Sequence, residues 1–180
     1  MATMDQRRDR LVTRQVEARG VRDPLVLAAM RSVRRELFVP KDLRREAYDD
    51  TPLSIGSGQT ISQPYIFAFM IEALALRGGE RVLEIGAGSG YAAVVLAEIA
   101  GEVFTIERIG QLAEGAAANL AEAGCMSAMR TAPRVGAAKP LSMQSSSRQA
   151  RLASRNPSCG NSGLEPVWWC LSAAIGGLKG

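Results

Sequence analysis

The segment from Arg81 to Gly90 constrains the fold of this 180-residue chain more than any other. It reads RVLEIGAGSG, an apolar run too short for a helix that ends in three glycines at alternate positions, and a helical pattern follows from Tyr91. This order predicts a buried parallel strand, a tight turn and a helix N-terminus, a common place to bind a nucleotide-like ligand. The glycines let the backbone pass close to such a ligand because they carry no Cβ.

The spacing of the glycines narrows the class of ligand. A dinucleotide fingerprint, G-x-G-x-x-G, would need its third glycine at position 91, which is Tyr91 here. In this chain the third glycine comes one residue earlier, and Glu84 lies two residues before the first. The resulting pattern, E-x-G-x-G-x-G, resembles motif I of the class I methyltransferases, which bind S-adenosylmethionine.

A second acid supports a ligand site. Glu107 ends the next apolar run, EVFTIE, about 20 residues past the Gly-rich turn. A carboxylate at the end of the second strand can accept hydrogen bonds from both ribose hydroxyls of a cofactor. The alternative is that Glu107 only caps or solvates the helix that starts near Ile109. The glycine spacing favours the ligand interpretation.

The periodicity around these motifs predicts half of a doubly wound α/β domain with an N-terminal helical appendage. The expected elements of this half are helix 65–76, strand 81–85, helix 90–100, strand 102–107 and helix 109–123. Ser62 is a candidate N-cap of the first helix, and residues 38–63 are expected to be loop and turn. The appendage comprises an amphipathic helix over 5–19 and a second one from Asp23 to about Val33.

The segment ahead of this unit points to a family. From Ala47 to Tyr65 it reads AYDDTPLSIGSGQTISQPY. Its core, P-L-x-I-G-x-G-Q-T-I-S-Q-P, with Val39-Pro40 before it and the Gly-rich turn behind, resembles protein-L-isoaspartate O-methyltransferases over roughly residues 10–124. The resemblance implies an α/β, Rossmann-like fold. It also implies methyl transfer from S-adenosylmethionine to the free carboxylate of an L-isoaspartyl residue in a damaged protein or peptide.

The resemblance implies roles for individual residues. Ser62 is the family's active-site serine, which orients the incoming carboxylate beside the transferring methyl group. The residues implied to bind the cofactor, together with Glu107, are Thr60, Ile61, Glu84, Gly86, Gly88, Ser89 and Gly90. The residues implied to take the substrate backbone are Ile55, Gly56, Ser57, Gly58 and Gln59. Without the family match, these last five would be interpreted as an ordinary Gly-rich connector.

Composition excludes several other classes of protein. The chain has no His, which excludes a mechanism that needs an imidazole base or a His metal ligand. Its three cysteines lack the spacing of a metal site. The sequence contains no run of about 18 apolar residues and no signal-peptide core. We therefore expect a cytoplasmic protein with no metal and no membrane partner. The family resemblance implies damaged, isoaspartyl-containing proteins and peptides as partners, and we also expect a monomer that binds no nucleic acid.

The last third of the chain differs from the rest. Residues 1–124 carry 15 Arg and Lys against 17 Asp and Glu, whereas residues 125–180 carry 7 against one acid, Glu165. The tail has no Asp, so it lacks the acid of the Gly-Asp-Gly turn that holds the adenine end of the cofactor in the family. It shows no helix or strand periodicity, so no further strands of the sheet are expected. We divide the chain into a helical region (1–50), half of the methyltransferase domain (51–124) and a poorly ordered tail (125–180).

One hypothesis for the tail is translation out of frame. When the third base of each codon is joined to the first two of the next, Trp168-Trp169-Cys170 gives Val-Val, and the next codons permit Pro-Val-Gly-Gly. With permitted codon choices, Ser142 to Gln149 gives Phe-Asp-Ala-Ile-Ile-Val-Thr-Ala, like the family's next apolar strand. The incomplete sheet would bury too little core to offset chain entropy, so we expect a poorly folded, inactive product.

Two other functions stay open at this level. One is a class I methyltransferase that acts on a small molecule or RNA, and the Gln59-Thr60-Ile61-Ser62 segment argues against it. The other is a non-catalytic nucleic-acid binder that uses the net charge of +6 in the tail. The absence of basic clusters and the scarcity of aromatic residues in the tail argue against this second function.

Overall fold

The computed structural model describes residues 2–124 and two short strands at 129–131 and 171–172. Within these residues, no helix is long and apolar enough to cross a bilayer. The predictions for Ser142 to Gln149 and for Trp168 to Cys170, and most of the predicted poor order of the tail, lie outside the described residues.

The N-terminal region folds as its periodicity predicts. Helix α1 (Met4–Leu11) begins after Thr3, whose hydroxyl caps a backbone N–H, and π-helical and 3-10 turns continue it to Gly20, where a φ of 108° ends the helical path. Helix α2 (Pro24–Ser32) begins after Asp23, whose carboxylate accepts two backbone hydrogen bonds. Both predicted helices are therefore confirmed.

A β-hairpin lies where the sequence predicts only loop and turn. Strand β1 (Leu53–Gly56) pairs antiparallel with β2 (Gln59–Ile61). The tip residues Gly56, Ser57 and Gly58 all have left-handed backbone, with φ of 91°, 51° and 68°. The prediction of loop is wrong here because strands of four and three residues, rich in Gly, Ser and Thr, are too short to develop a clear alternating pattern.

Helix α3 (Pro64–Ala73) follows the hairpin. Its N-cap residue is Gln63, whose side chain makes no capping hydrogen bond. The prediction that Ser62 is the N-cap is therefore wrong. Pro64 takes the first helical position, where its fixed φ and missing N–H are tolerated, and this fixes the cap at the preceding residue. The N–H of Tyr65 is bound instead by the distant carboxylate of Asp50, at 2.9 Å.

A parallel sheet forms the second half of the described fold. Strand β3 (Arg81–Ile85) pairs with β4 (Glu102–Ile106), while β5 (Met129–Thr131) lies beyond β4 and β6 (Leu171–Ser172) lies on the other side of β3. The strand order is β5-β4-β3-β6. The expectation that the tail adds no strand is wrong, because two short segments pair through their backbone, which needs no side-chain periodicity. Helices α4 (Tyr91–Ala97) and α5 (Gly110–Glu122) connect the strands as predicted.

The strand order shows where a ligand can bind. The chain moves outward from β3 through β4 to β5 and then returns to the opposite side of β3 with β6. In open parallel sheets, ligands bind beyond the carboxyl ends of the strands where this direction reverses. That place is the end of β3, which the Gly-rich turn follows directly.

One hydrophobic core joins the N-terminal region to the sheet. The ring of Tyr91 lies at the junction, with its centroid 5.6 Å from that of Phe38 and 5.2 Å from that of Phe67. Met30 of α2 and Val82 of β3 belong to the same buried cluster. The first 50 residues therefore bury their apolar surface against the sheet half rather than by themselves.

The amino ends of β3 and β4 approach each other very closely. An ideal Cβ built on Gly101 would lie 2.9 Å from backbone atoms of Gly79. The Gly101 N–H also donates to the Glu80 carbonyl at 2.9 Å. A side chain at position 101 would have to push the two backbones apart.

Candidate functional site

A cleft opens at the carboxyl end of β3, between the Gly-rich turn, the hairpin and the start of α3. The space between its walls is roughly 520 Å³ when the part open to solvent is included. Its lining residues are Ile55, Thr60, Ile61, Ser62, Phe67, Met70, Glu84, Gly86, Ala87, Gly88, Ser89, Tyr91 and Ala92.

The cleft brings together most of the residues that the sequence singles out. The predicted site residues in its lining are Ile55, Thr60, Ile61, Ser62, Glu84, Gly86, Gly88 and Ser89. The predicted site residues outside the lining are Gly56, Ser57, Gly58, Gln59, Gly90 and Glu107. Two segments separated by about 20 residues of chain, 55–62 and 84–92, thus form one site.

The Gly-rich turn follows β3 with left-handed backbone at each of its glycines, Gly86, Gly88 and Gly90, where φ is 95°, 55° and 88°. A Cβ on Gly88 would lie 3.2 Å from the Ile55 side chain, so the hairpin packs directly on the turn. Gly90 is buried at the N-cap of α4, where a Cβ would meet the Leu120 side chain at 3.3 Å. Gly90 therefore lets the turn pack closely against α5 and does not line the cleft.

Glu107 holds the turn through hydrogen bonds. Its carboxylate accepts one from the Gly88 N–H at 2.9 Å and one from the Ile109 N–H, just before α5, at 2.9 Å. The structural role left open by the sequence is thus present. A carboxylate has about four acceptor positions, so both oxygens keep capacity for further donors, and ribose binding by Glu107 stays a prediction.

Glu84 is buried in the cleft wall, with only 2% of its surface exposed. Its Oε2 accepts a hydrogen bond from the Thr105 hydroxyl at 2.7 Å. Burial raises the pKa of Glu84 to about 8, against the opposing effect of the Thr105 hydrogen bond, and the charge of Glu107 adds to the rise. Glu84 is therefore largely neutral at pH 7 in the protein alone.

The tip of the hairpin reaches the helix on the far side of the turn. The Ser57 hydroxyl donates to Oε1 of Gln111 on α5 at 3.3 Å. The predicted substrate residues Gly56, Gly58 and Gln59 are exposed at this tip. The hairpin therefore lies across the Gly-rich turn, with its inner residues in the cleft and its tip outside it.

Several residues at the site have no clear signal in the sequence. Thr105 meets Glu84 only through the register of β3 and β4. Asn119 of α5 donates to the Ser89 carbonyl at 2.9 Å. Arg35, in a 3-10 turn 27 residues earlier in the chain, donates to the Ser62 carbonyl at 2.8 Å. Spacing could have suggested Thr105, which lies opposite Glu84 once the strands are aligned, but the other two depend on tertiary packing.

Within the part of the chain that the structure describes, no group of three or more His, Cys, Asp or Glu side chains is arranged to hold a metal ion.

Comparison with known proteins decides the family. The family model for protein-L-isoaspartate(D-aspartate) O-methyltransferase matches residues 6–136, well over half of the chain. The chain belongs to this family. The match begins before, and ends beyond, the segment 10–124 over which the resemblance is read from motifs.

Named relatives of this methyltransferase family are closely similar over the same region. Protein-L-isoaspartate O-methyltransferase 1 of Rhodopseudomonas palustris (strain HaA2) is 74% identical over 117 residues, which are 65% of this chain and 48% of that protein. The protein-L-isoaspartate O-methyltransferase of Methanoculleus marisnigri is 57% identical over 117 residues, which are 65% and 53% of the two chains. The chain thus spans about half the length of these relatives.

Solved structures of the family agree with the fold. A Plasmodium falciparum chain, named as a protein-L-isoaspartate O-methyltransferase in complex with S-adenosyl-L-homocysteine, superposes with a TM-score of 0.60 at 25% identity, over 69% of this chain and 62% of that one. Another protein-L-isoaspartate O-methyltransferase gives 0.61 at 28% identity, over 69% and 41%. The predicted fold class, an incomplete Rossmann-like α/β methyltransferase domain with an N-terminal helical region, is confirmed.

Proposed function

We propose that this chain carries the methyltransferase site of an enzyme that esterifies L-isoaspartyl residues of damaged proteins. The methyl ester then closes to a succinimide, and hydrolysis of the succinimide restores part of the normal aspartyl linkage. The observation that carries this proposal is the single cleft in which Thr60, Ile61 and Ser62 face the Gly-rich turn. Its partners would be proteins and peptides that contain isoaspartate.

The residues of the cleft fit S-adenosylmethionine. Gly86 leaves backbone uncovered at the carboxyl end of β3, since a Cβ there would meet no atom within 4 Å, so this part of the turn is open to a ligand. Glu84 provides a buried carboxyl group that suits a cationic ligand. Thr60, Ile61, Ser89 and Glu107 would complete the binding set, with Gly90 supporting the turn. When bound, the cofactor supplies an electrophilic methyl group on a sulfonium, which is a good leaving group.

The chemistry asks little of the protein beyond orientation. An isoaspartyl carboxylate is already ionised at pH 7, so the site needs no strong general base, consistent with a chain that has no His. Ser62 lies just before α3, where the positive end of the helix dipole favours an anion. We assign its hydroxyl the role of orienting the carboxylate, and most of the rate enhancement would come from positioning. Residues Ile55 to Gln59 of the hairpin would hold the substrate backbone.

Methyl transfer can be tested directly on the full 180-residue chain. The assay incubates it with methyl-labelled S-adenosylmethionine and a peptide with one L-isoaspartyl residue, and measures base-labile methyl ester. The sequence alone leads us to expect an inactive product, but the cleft is formed in the structure. We therefore expect ester on this peptide, at a low rate, and none on the matching aspartyl peptide. Ser62→Ala should lower the rate by about ten-fold or more, as expected when an orienting hydrogen bond is lost. Ser32→Ala, an exposed serine on α2, serves as the matched control.

Two results would contradict this assignment. If the chain does not bind S-adenosylhomocysteine, the cleft is not a cofactor site. Methylation of RNA without methylation of the isoaspartyl peptide would favour a different class I methyltransferase.

We propose further that residues 125–180 are read out of frame. The support is the composition break at Gly124, the absence of Asp beyond it, and the two family-like segments recovered in the shifted frame. Sequencing the DNA across the codons for Gly124 to Ser127 tests this: an extra or missing base supports it, and a clean read overturns it. If the frame is shifted, the restored gene should encode a more active enzyme than this chain.

We also propose that the protein is cytoplasmic and a monomer. Sedimentation of the purified chain, with and without S-adenosylhomocysteine, tests the second part, and a stable dimer would contradict it.

A further inference from the structure

Arg35 is buried behind the cleft. It begins the 3-10 turn Arg35–Phe38 and has only 1% of its surface exposed. Its guanidinium makes two hydrogen bonds, both to backbone: Nε donates to the Ala47 carbonyl at 2.9 Å, and Nη2 donates to the Ser62 carbonyl at 2.8 Å. Arg35 thus ties the segment ahead of the hairpin to the residue that follows it.

The charge of Arg35 is not neutralised by a nearby carboxylate. None of the ion pairs among the described residues includes Arg35, and the largest favourable contribution to its charged form comes from the Tyr91 side chain. The Tyr91 ring lies 5.0 Å from its Cζ, close enough for a cation–π interaction. Asp50, which contributes electrostatically at longer range, is paired with Arg19.

Burying an unpaired cation is costly, so its surroundings must benefit from the charge or from the hydrogen bonds. Burial lowers the pKa of Arg35, but a guanidinium stays protonated in proteins. Both groups that it contacts on the cleft side, the Ser62 backbone and Tyr91, line the cleft. A positive charge behind that wall favours a negative charge in front of it, and the proposed substrate group is a carboxylate.

We propose that Arg35 is a positioning residue for Ser62: it fixes the Ser62 backbone against the Tyr91 side of the cleft and makes this wall favourable to an anion. The role in anion binding rests on the proposed function, whereas the hold on the Ser62 backbone does not.

The first test therefore needs no activity. In the full chain labelled with ¹³C and ¹⁵N, we expect a scalar coupling across the hydrogen bond from Arg35 Nη2 to the Ser62 carbonyl. Arg35→Met should shift the Ser62 carbonyl and Gln63 amide resonances, and Arg35→Lys should shift them less. Arg34→Met, at the exposed neighbouring arginine that pairs with Glu36, is the matched control and should leave them in place. Unchanged Ser62 and Gln63 resonances in Arg35→Met would overturn the proposal.

The second test measures methyl transfer to the isoaspartyl peptide. We expect Arg35→Met to raise KM for the peptide about ten-fold, the size expected for losing a charge-assisted hydrogen bond, while S-adenosylhomocysteine affinity changes less than about two-fold. Arg35→Lys should recover part of the loss. An equal fall in peptide and S-adenosylhomocysteine affinity would show a merely structural role and overturn the proposal.

The outcomes separate the two hypotheses. If the unaltered chain transfers no methyl group, the proposed function fails for this chain, and the resonance test alone decides the role of Arg35. If Arg35→Met does not fold, Arg35→Lys and the coupling in the unaltered chain decide it.

Discussion

Glu84 combines deep burial with a place in the wall of an open cleft, and this makes its protonation sensitive to what the cleft contains. Its pKa of about 8 reflects desolvation of the charged form. Only the Thr105 hydroxyl opposes this effect, while Glu107 adds to it. A cation in the cleft would favour the ionised carboxylate and lower this pKa.

The first prediction follows from that coupling. Binding of S-adenosylmethionine near pH 7 should release up to about one proton, and its affinity should rise between about pH 6 and pH 8. Calorimetry in buffers of different ionisation enthalpy measures the proton release. Glu84→Gln should abolish both effects. Binding without proton release in the unaltered chain would show that the charge of the cofactor does not change the protonation of Glu84.

The same group predicts how stability depends on pH without a ligand. Because the pKa of Glu84 in the folded protein lies above its ordinary value of 4.5, the folded state holds the proton more tightly than the unfolded state. Its contribution is complete below that ordinary value and is lost as the pH rises through about 8. Relative to Glu84→Gln, the free energy of unfolding should fall by up to roughly 1.4 kcal/mol per pH unit within this window. Denaturant titrations at a series of pH values measure this. The same pH dependence of the free energy of unfolding in both proteins would contradict the prediction.

At the scale of elements, the site depends on the contact between the hairpin and the Gly-rich turn. β1 and β2 hold Ile55 against Gly88, and the Glu107 carboxylate accepts a hydrogen bond from the N–H of the same glycine. The turn is thus confined between an element that precedes it by about 30 residues and one that follows it by about 20. A change in its backbone should affect both neighbours.

A matched pair of glycine substitutions tests this. Gly88→Ala places a Cβ at a φ of +55° and 3.2 Å from Ile55, and we expect a loss of roughly 1–2 kcal/mol in stability and about ten-fold weaker S-adenosylhomocysteine binding. Gly115→Ala, within α5 where a Cβ would meet nothing, should stabilise by up to about 1 kcal/mol and leave binding unchanged. Thermal unfolding and calorimetry measure both. Normal binding by Gly88→Ala would show that the turn tolerates rearrangement.

For the whole molecule, the decisive feature is the core shared by the N-terminal helices and the sheet. Met30 and Phe38 lie in one cluster with Val82 and Tyr91. Residues 1–50 are distinct in sequence pattern, yet their buried surface is complementary to that of the rest. We therefore expect the region to fold together with the rest.

Removal of residues 2–50 should therefore abolish cooperative unfolding. The apolar surface of Tyr91 and its neighbours that this region covers would become exposed to solvent. Thermal unfolding followed by circular dichroism, compared with the full chain, measures this. A sharp single transition in the shortened protein, together with binding of S-adenosylhomocysteine, would show instead that the two regions fold independently.

Much of this fold could be predicted because its signals are local. The strand before Gly86, the helix from Tyr91 and the helix after Asp23 depend on short-range periodicity and capping. The hairpin could not be predicted because its strands of four and three residues show no clear alternation, and the cap lies at Gln63 because Pro64 takes the first helical position. The role of Arg35 could not be predicted because it is decided by contacts between residues far apart in the chain. The glycines and Ser62 of the cleft could be found from motif spacing, whereas their supports, Thr105 and Asn119, depend on strand register and helix packing.

The close approach of Gly79 and Gly101 has a consequence for any mutational screen of this protein. The two glycines lie at the amino ends of β3 and β4, opposite the end that carries the cleft. A Cβ at 101 would meet backbone rather than a movable side chain, so no rotamer can relieve the clash. Every replacement at 101 should thus score as inactive, as a cleft residue would, while the protein disappears from the soluble fraction. Intolerance to substitution would mark, at this position, the spacing of two strands and not a contact with substrate.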